Sequence, residues 1–494
     1  MAGVAAATIA VQRSLSAQES AAFDGQVVRR MARDLAAAPY QAPNTKLPDA
    51  IASLSYDAYR AIRFEPAQSL WRGQGLPFEV QFVHRGSLFA NQVDLYEVEG
   101  GRAKPILYRP ELFDFGPNPR PPPGNLGFAG FRIHGPINRP DYFDEFTVFL
   151  GASYFRALGK GQEYGLSARG LSIKTGDPGG EEFPSFKAFW IERPQPNTNS
   201  IVVTALLDSP SATAAMRFTI RPGQSTVFDV ELALYPRIDL EQSGIATGTS
   251  MFLFDASNRA SVDDYRRAVH DSDGLMMLTG RSEELWRPLA NPRMLQISSF
   301  ADGGPRGFGL MQRKRDFRAF EDLETRYERR PSLWVEPIGD WGEGVVQLVE
   351  IPTRGEIHDN IVAFWRPRQT LRANSEANFT YRLHWTSAAP IRDELARIVA
   401  TRSGAGSVAG TRLFVLDAVG ETLKALPADA RPRLLASAEG ARIQNPVARP
   451  NPEHGGWRLS FELLPESAKA SELRALLLLG DTPLTETWVY RWTA

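Results

Sequence analysis

Cysteine is absent from this 494-residue chain, and several kinds of chemistry are excluded with it. Without thiols the protein can form no disulfide, no catalytic thiolate and no zinc site with cysteine ligands. An excess of charge of one sign is also lacking, because 56 basic residues stand against 57 acidic ones. This balance removes the basic surface that nucleic-acid binding requires, so we expect no nucleic-acid partner and a ligand that is neutral.

Long hydrophobic runs are missing as well. After the N-terminus, no stretch approaches the roughly 20 apolar residues that a membrane-spanning helix needs. The first eleven residues, MAGVAAATIAV, form a short run of small apolar side chains, and SLSA follows at positions 14–17. This pattern is typical of the end of a secretory signal that has lost its basic beginning, and a disordered alanine-rich terminus is the alternative. Residues 1–21 are assigned to this segment.

The chain begins with helical patterns and continues with strand patterns. Apolar side chains recur at helical spacing between residues 24 and 35, with Asp24 available as the N-cap, and shorter helices are expected at 48–53 and 55–62. Beyond residue 76, short apolar or alternating runs are separated by turn residues, which 41 glycines and 36 prolines supply. Many strands joined by turns predict a mainly β fold with a large antiparallel β-sandwich. The clearest predicted strands cover residues 78–84, 201–207, 215–220, 226–232, 345–351, 361–365 and 378–385.

A boundary between two domains is predicted near residue 400. The sequence PIRDELARI at 390–398 predicts a short helix, and GAGSVAG at 404–410 predicts a flexible stretch, so we place a linker at 390–410. A large domain at 22–389 precedes it. The remaining residues, 411–494, carry short strand patterns again, and their number suits a small immunoglobulin-like sandwich.

Three segments resemble functional motifs and are better explained without special chemistry. The glycines at 404–410 have the spacing GxGxxxG and no βαβ context, so a linker is favoured over nucleotide binding. Ser167 lies in GLSAR, which lacks the second glycine of a nucleophile elbow. His270 and the aspartates after it could ligate a metal, but no HExxH motif or second histidine cluster accompanies them. We therefore expect neither a metal nor an organic cofactor.

Two polar segments are candidates for acid–base chemistry. Asp271 and Asp273 precede the apolar run at 275–278, and Glu356 and Asp359 lie in the turn between two predicted strands. Loops held by a rigid sheet suit catalysis, because the sheet fixes the geometry while substrate and solvent reach the side chains. From the residues alone, ordinary turn residues remain the favoured explanation.

Tryptophans provide the second hint of a ligand. Sugars present apolar C–H faces and hydroxyl edges, so an aromatic ring flanked by charged hydrogen-bonding groups suits them. Most tryptophans in proteins belong to the core, and we expect only a few of these to line a cleft. Several stand beside arginine or glutamate, and the set comprises Trp71, Trp190, Trp286, Trp334, Trp341 and Trp365.

Longer sequence words are more specific than any of these patterns. Together they resemble the osmoregulated periplasmic glucan biosynthesis G/D family over about residues 22–494. The words are NLGFAGFR (125–132), FLGASYFRA (149–157), YGLSARG (164–170), EEFP (181–184), VHDSDG (269–274), PRGFGL (305–310), RPSLWVEP (330–337) and DNIVAFW (359–365).

The resemblance implies a large sandwich like that of galactose mutarotase, followed by an immunoglobulin-like domain, in a periplasmic protein. It implies a role in making glucans whose backbone is β-1,2-linked glucose. The family includes anomer-inverting endo-β-1,2-glucanases and an inverting transglycosylase. The leading expectation is therefore an inverting endo-hydrolase of β-1,2-glucan, and the alternatives are a transglycosylase or a non-catalytic glucan-binding scaffold that assists a membrane glucosyltransferase. The resemblance is also consistent with a homodimer.

Site residues are carried over from the family word by word. The aspartate of DNIV, here Asp359, is the general acid, and the first aspartate of HDSD, here Asp271, is the general-base candidate. Tyr327 and Glu356 match positions that border the path between them. In inverting hydrolysis the two carboxyl groups are usually about 6.5 to 9.5 Å apart, and in this family the base acts from farther away through water. The substrate-binding candidates are Trp71, Tyr164, Arg169, Trp190, His270, Asp273, Trp286 and Trp341.

Overall fold

The structure, a computed structural model, describes residues 20–122, 124–259, 262–392, 394–427 and 429–494. The proposed signal segment therefore lies almost wholly outside the described residues. The α-helices are few and short: α1 (Val27–Ala36), α2 (Asp49–Ala52), α3 (Tyr56–Arg60) and α4 (Glu421–Lys424). The first three confirm the predicted helices. Asp24 does not cap α1, because its carboxylate accepts a hydrogen bond from the Gln26 backbone N–H (2.9 Å) in the turn before the helix.

Strands are far more abundant than helices in the described residues, which confirms the mainly β prediction. The first sixteen are β1 (Ala21–Ala22), β2 (Arg63–Phe64), β3 (Glu79–Val83), β4 (Asp94–Glu99), β5 (Arg102–Pro105), β6 (Phe113–Asp114), β7 (Gly130–Arg139), β8 (Tyr142–Leu150), β9 (Tyr154–Ala157), β10 (Ser167–Arg169), β11 (Ser172–Ile173), β12 (Ser185–Glu192), β13 (Ile201–Asp208), β14 (Ala212–Arg221), β15 (Thr226–Pro236) and β16 (Ser243–Ser250). They continue with β17 (Phe252–Phe254), β18 (Val269–His270), β19 (Gly274–Leu278), β20 (Glu284–Pro288), β21 (Gln296–Gly303), β22 (Gly307–Met311), β23 (Ser332–Ile338), β24 (Glu343–Glu350), β25 (Ile361–Pro367), β26 (Ala377–Thr386), β27 (Arg397–Ala405), β28 (Arg412–Val419), β29 (Arg433–Ala438), β30 (Arg442–Asn451), β31 (Gly456–Leu464), β32 (Ala470–Leu479), β33 (Thr482–Pro483) and β34 (Thr487–Thr493).

Two sheets form the sandwich. The long sheet has the order β1-β5-β4-β12-β13-β14-β15-β26-β23-β22-β19-β20-β34-β32-β29, and the short sheet has the order β21-β24-β25-β16-β10-β9-β8-β7-β3. Neighbouring strands are antiparallel except at β4–β12 and β20–β34. Every strand predicted before residue 390 is present, because alternating or wholly apolar runs of this length are buried on one or both faces of a sheet.

Phenylalanine rings fill the core between the two sheets. Phe149 of β8 lies 5.0 Å from Phe131, 5.3 Å from Phe155 and 5.3 Å from Phe218 of the long sheet, measured between ring centroids. Since alternate residues of a strand point to opposite faces, Tyr154 and Arg156 of β9 lie on the outer face of the short sheet, opposite the buried Phe155. That outer face forms the floor of the candidate site.

The chain after residue 390 differs from the prediction. The described residues of 390–398 form no helix, and the glycine-rich segment is not a free linker. Residues Arg397–Ala405 form β27, which pairs with β28, and the turn between them is held by Glu462, which accepts hydrogen bonds from the Ser407 backbone N–H (3.1 Å) and hydroxyl (2.6 Å). The apolar residues Ile398 and Ala396 face a buried cluster, so burial of this segment favours a strand over the helix that its local spacing predicts.

The C-terminal strands build a small sandwich that shares its core with the large one. A four-stranded sheet, β27-β28-β31-β30, faces β29, β32 and β34, and β34 pairs with β20 of the long sheet. The carboxylate of Glu486, fully buried, accepts hydrogen bonds from the Ile398 backbone N–H (2.7 Å) and from Arg313 (2.8 Å). A single apolar cluster joins Trp286 and Trp334 of the large sandwich to Trp488. The separate folding of residues 411–494 stays a prediction.

A buried histidine gives this fold a pH-dependent stability. His84 follows β3, with its ring 5.0 Å from Phe113; Nδ1 lies 2.6 Å from the Arg85 carbonyl oxygen and Nε2 lies 2.9 Å from the Tyr108 hydroxyl. Burial, and to a smaller extent the Arg85 cation, lower the pKa of His84 to about 4 from 6.5. The unfolded chain therefore binds a proton between pH 6.5 and 4 that the folded chain does not.

Acidification across this window should weaken the fold. Since the folded-state pKa lies below the unfolded value, the stabilisation is present above pH 6.5 and is lost as the pH falls towards 4, by about 3 kcal/mol for His84. The free energy of unfolding in urea should be measured at pH 7 and at pH 4.5. Its fall between these pH values should be smaller in His84→Gln than in the parent, by about 3 kcal/mol, because the variant lacks this titrating group. Equal losses in both proteins would contradict this assignment.

Candidate functional site

The loop at residues 351–360, between β24 and β25, carries the predicted acid. Asn360 fixes the base of this loop: its side-chain oxygen accepts a hydrogen bond from the Phe252 backbone N–H (2.8 Å), and its amide donates to the carbonyls of Phe252 and Ile351 (3.0 Å each). Asp359 directly precedes this anchor, and 30% of its side chain is exposed. The hydrogen bonds of Asn360 thus fix the position of the Asp359 backbone at the end of the loop.

Arg156 lies beside Asp359 on the outer face of the short sheet. Its guanidinium is 3.9 Å from the Asp359 carboxylate, and its Nε donates a 2.6 Å hydrogen bond to the Ser167 hydroxyl of the adjacent strand β10. Ser167 is fully buried and occupied by this contact, in agreement with its exclusion as a nucleophile. Sequence analysis missed Arg156; the available signal was the alternation of polar and apolar residues in YFRA, which marks a strand with one polar face.

Asp271 enters the same region from the other side. It follows β18, and its backbone N–H donates to the Met251 carbonyl (2.8 Å), one residue beyond β16. Its carboxylate is buried and forms an ion pair with Arg330. Burial raises the pKa of Asp271, the negative charge of Asp359 adds to this rise, and the cations of Arg330 and Arg156 oppose it. The two predicted catalytic aspartates therefore lie close enough to influence each other.

Tyr327 and Glu356 connect to this pair. The Tyr327 hydroxyl donates to the Glu356 carboxylate (3.1 Å), and the Arg330 guanidinium lies over the Tyr327 ring at 4.5 Å from its centroid. Burial raises the pKa of Tyr327, so the phenol keeps its proton at neutral pH. Contacts thus lead from Glu356 to the Tyr327 hydroxyl, from the face of the Tyr327 ring to Arg330, and from Arg330 to Asp271.

Arg266 holds the outer end of this series of contacts. Its guanidinium contacts the carboxylates of Asp264 (2.8 Å), Asp322 (2.9 Å) and Glu356 (2.8 Å), which belong to three different loops. Arg266 and Arg330 were not singled out from sequence, because an isolated arginine in a loop carries no signal that tells which distant carboxylate it will meet.

Tyr164 and Arg169 lie at the border of this cluster. Gly165 allows Arg330 to pass, since a Cβ atom at this position would meet the Arg330 side chain at 2.9 Å. Burial, together with the charge of Glu145, raises the pKa of the neighbouring Tyr164, while Arg132 and Arg156 oppose this rise. The structure therefore brings Asp359, Asp271, Glu356, Tyr327, Tyr164 and Arg169 into one region, and their roles stay predictions.

His270 and Asp273 point elsewhere. His270 is fully buried, with its ring parallel to Phe252 at 5.4 Å and edge-on to Phe320 at 5.0 Å, and burial lowers its pKa to about 4. Asp273 accepts a hydrogen bond from the Arg313 backbone N–H (3.0 Å) and lies 3.5 Å from the Lys314 ammonium. Their placement gives no support to a direct contact with substrate.

The four tryptophans predicted to bind substrate are all buried. Trp71 donates to Glu97 (2.7 Å), Trp341 donates to the Thr380 carbonyl (3.1 Å), and Trp190 stacks on a tyrosine beneath α1. Trp286 lies under the Arg313 guanidinium at the junction with the C-terminal sandwich. Their rings serve packing here, and their assignment to substrate gains no support from the structure.

Neither a metal centre nor a membrane span is found in the part of the chain that the structure describes. Its His, Asp and Glu side chains form no group of three or more that could hold a metal ion. None of its helices combines the length and apolar character needed to cross a membrane.

Comparison with known proteins identifies close relatives. Residues 23–492 match the family described as "Periplasmic glucan biosynthesis protein, MdoG". A protein of Rhodopseudomonas palustris (strain BisA53) named "Glucans biosynthesis protein G" is 61% identical over 96% of this chain and 94% of its own length. Proteins of the same name from Bradyrhizobium diazoefficiens (56% identical, 99% of this chain, 97% of the relative) and Vibrio cholerae (strain N16961; 51%, 96% and 88%) are also similar.

Proposed function

The chain belongs to the periplasmic glucan biosynthesis protein family, and on that premise we propose that it cleaves β-1,2-glucan internally, with inversion at the anomeric carbon, in the periplasm. The observation that carries this proposal is that two carboxyl groups in different environments lie near enough for the negative charge of Asp359 to raise the pKa of Asp271. Asp359 is partly exposed beside Arg156, whereas Asp271 is buried against Arg330. The Arg330 ion pair favours the ionised form of Asp271 that a general base needs, although burial of Asp271 acts in the opposite direction.

In the proposed reaction, Asp359 donates its proton to the glycosidic oxygen as the bond from that oxygen to the anomeric carbon breaks. A water molecule attacks the same carbon from the opposite face, and its proton passes to Asp271. Tyr327 and Glu356 lie beside this step, since the Tyr327 ring packs against Arg330, the ion-pair partner of Asp271, and the Tyr327 hydroxyl donates to Glu356. One water is consumed for each bond cleaved, and neither metal nor organic cofactor takes part.

A transglycosylase is the second candidate, and the relatives' name favours it. Those relatives are named for glucan biosynthesis, and transfer to a sugar hydroxyl conserves the number of glycosidic bonds, whereas hydrolysis reduces it. The same acid and base serve either reaction. The third candidate is a glucan-binding scaffold that assists the membrane glucosyltransferase. Such a protein would bind glucan at the candidate site and catalyse no reaction.

Incubation of the purified protein with linear β-1,2-glucan separates these functions. We expect shorter chains, one new reducing end for each cleavage, and a newly formed reducing end in the α-configuration, observed by NMR before mutarotation. Cyclic or branched products without new reducing ends would instead indicate transfer. Measurable binding with unchanged glucan would contradict both enzymatic proposals and favour the scaffold.

A further inference from the structure

Phe183 presents an exposed aromatic ring on the side of the short sheet that carries the candidate site. The side chain is 51% exposed, whereas most phenylalanines of the chain are buried. Its ring lies over the Arg169 guanidinium, with the Arg169 Cζ 5.4 Å from the Phe183 ring centroid and 4.8 Å from that of Tyr154. The guanidinium thus contacts both the Tyr154 ring and the exposed Phe183 ring. Cation–π attraction to Arg169 holds the Phe183 ring in place.

The two residues before Phe183 are held by ion pairing and hydrogen bonds, and strand β12 begins two residues after it, at Ser185. The Glu181 carboxylate pairs with Arg169 and accepts a 2.6 Å hydrogen bond from the Thr175 hydroxyl. The Glu182 carboxylate accepts hydrogen bonds from the Ser211 backbone N–H (3.0 Å) and hydroxyl (2.6 Å). The exposure of Phe183 therefore does not come from a loosely attached loop. A rigid exposed ring loses little conformational entropy when a ligand covers it.

Phe183 is connected to Asp359 through neighbouring side chains. Arg169 of β10 is the register partner of Tyr154 of β9, so the two side chains lie side by side on the outer face. Two residues along β9, Arg156 occupies the same face and reaches within 3.9 Å of Asp359. The exposed ring stands at the far end of this row of side chains, on the same face of the short sheet as Arg156.

The charge at this position suits a neutral ligand. Glu181 compensates the Arg169 cation, so the underside of the ring carries no free charge that would select an anion. An exposed apolar ring beside hydrogen-bonding groups matches a sugar, which offers a C–H face to the ring and hydroxyl groups to its surroundings.

We propose that Phe183 is a stacking platform for a glucosyl ring of the bound glucan, on one side of the bond cleaved at Asp359. This inference rests on the proposed function for the identity of the ligand and adds the side chain that holds it. Arg169 acts as a positioning residue. It holds the Phe183 ring in place, and its own side chain is too buried to contact a sugar.

The test measures binding of linear β-1,2-glucan by calorimetry in the Asp359→Asn background, where the ligand is not consumed. Phe183→Ala is expected to weaken binding by about 5- to 30-fold, the usual range for loss of one aromatic contact, and Phe183→Trp to keep it within about threefold of the parent. Tyr142→Ala is the matched control, since Tyr142 is 54% exposed and lies over Arg139 at 5.2 Å, on strand β8, which is four strands from β25 in the short sheet. Thermal unfolding should be unchanged in all three variants.

The outcomes separate this inference from the proposed function. Binding by Phe183→Ala within twofold of the parent overturns the platform, whatever the parent does to glucan. If the parent binds glucan without cleaving it and Phe183→Ala still weakens binding, the hydrolase is wrong and the platform stands. A parent that binds no glucan overturns both.

Discussion

Asp359→Asn is expected to abolish most glucan turnover while leaving glucan binding nearly intact. Asparagine has almost the same shape as aspartic acid but cannot donate a carboxylic proton to the departing oxygen. General acid catalysis contributes about 10² to 10⁴ in rate, so kcat should fall by that order with little change in affinity. The fold should survive, because Asp359 is partly exposed and, within the described residues, its ionic contact is the 3.9 Å approach of Arg156.

The same substitution at Asp141 provides the control for Asp359→Asn. Asp141 lies 78% exposed in the turn between β7 and β8 and makes only a 3.8 Å contact with Arg139, so Asp141→Asn should leave kcat, binding and stability unchanged. Asp271→Asn should also lower turnover, by less if another water path accepts the proton. Wild-type cleavage by folded Asp359→Asn protein would show that the acid lies elsewhere.

Arg287→Met is expected to destabilise the protein by about 3 to 5 kcal/mol. Arg287 of β20 and Glu350 of β24 form an ion pair at 2.9 Å that links the long and short sheets, and only 1% of each side chain is exposed. Removing one partner leaves the other charge buried without compensation, which is the costly way to break such a pair. The Ala290 backbone N–H (2.7 Å) would remain as a hydrogen-bond donor to Glu350 but carries no net charge.

The double variant Arg287→Met/Glu350→Gln tests this explanation. The amide of glutamine can still accept from Ala290 and needs no cation, so we expect the double variant to recover more than half of the lost stability in urea unfolding at pH 7. Burial raises the pKa of Glu350, and loss of Arg287 should raise it further. The native state then holds a proton that the unfolded state releases, so the defect of Arg287→Met should be smaller at pH 5 than at pH 8. A defect that is independent of pH and unaffected by Glu350→Gln would point to lost packing instead.

The limits of prediction from sequence are clearest where local and distant interactions compete. The segment 390–398 has helical spacing, yet its end becomes part of β27, because pairing with β28 and burial against Leu416 and Trp488 outweigh a weak local preference. The tryptophans looked like sugar platforms by composition, but a large ring stabilises the fold most when it is buried, and all four candidates are. The exposed ring that we propose to bind a sugar belongs to Phe183, in a sequence word that contributed to the family resemblance and was not considered for binding.

The sequence by itself determined the strands before residue 390, the mainly β sandwich and the family. Strand positions follow from the alternation of apolar and polar residues within short windows, and the family follows from long words in a fixed order; neither requires knowledge of distant contacts. Tertiary structure alone decided which side chains meet. Asp271 and Asp359 approach each other because both flank one short stretch of chain: Asp271 is bonded to Met251, and Asp359 precedes Asn360, which is bonded to Phe252. Exposure and ion pairing are likewise properties of the packed molecule, because they depend on which residues, far apart in the chain, the two sheets bring side by side.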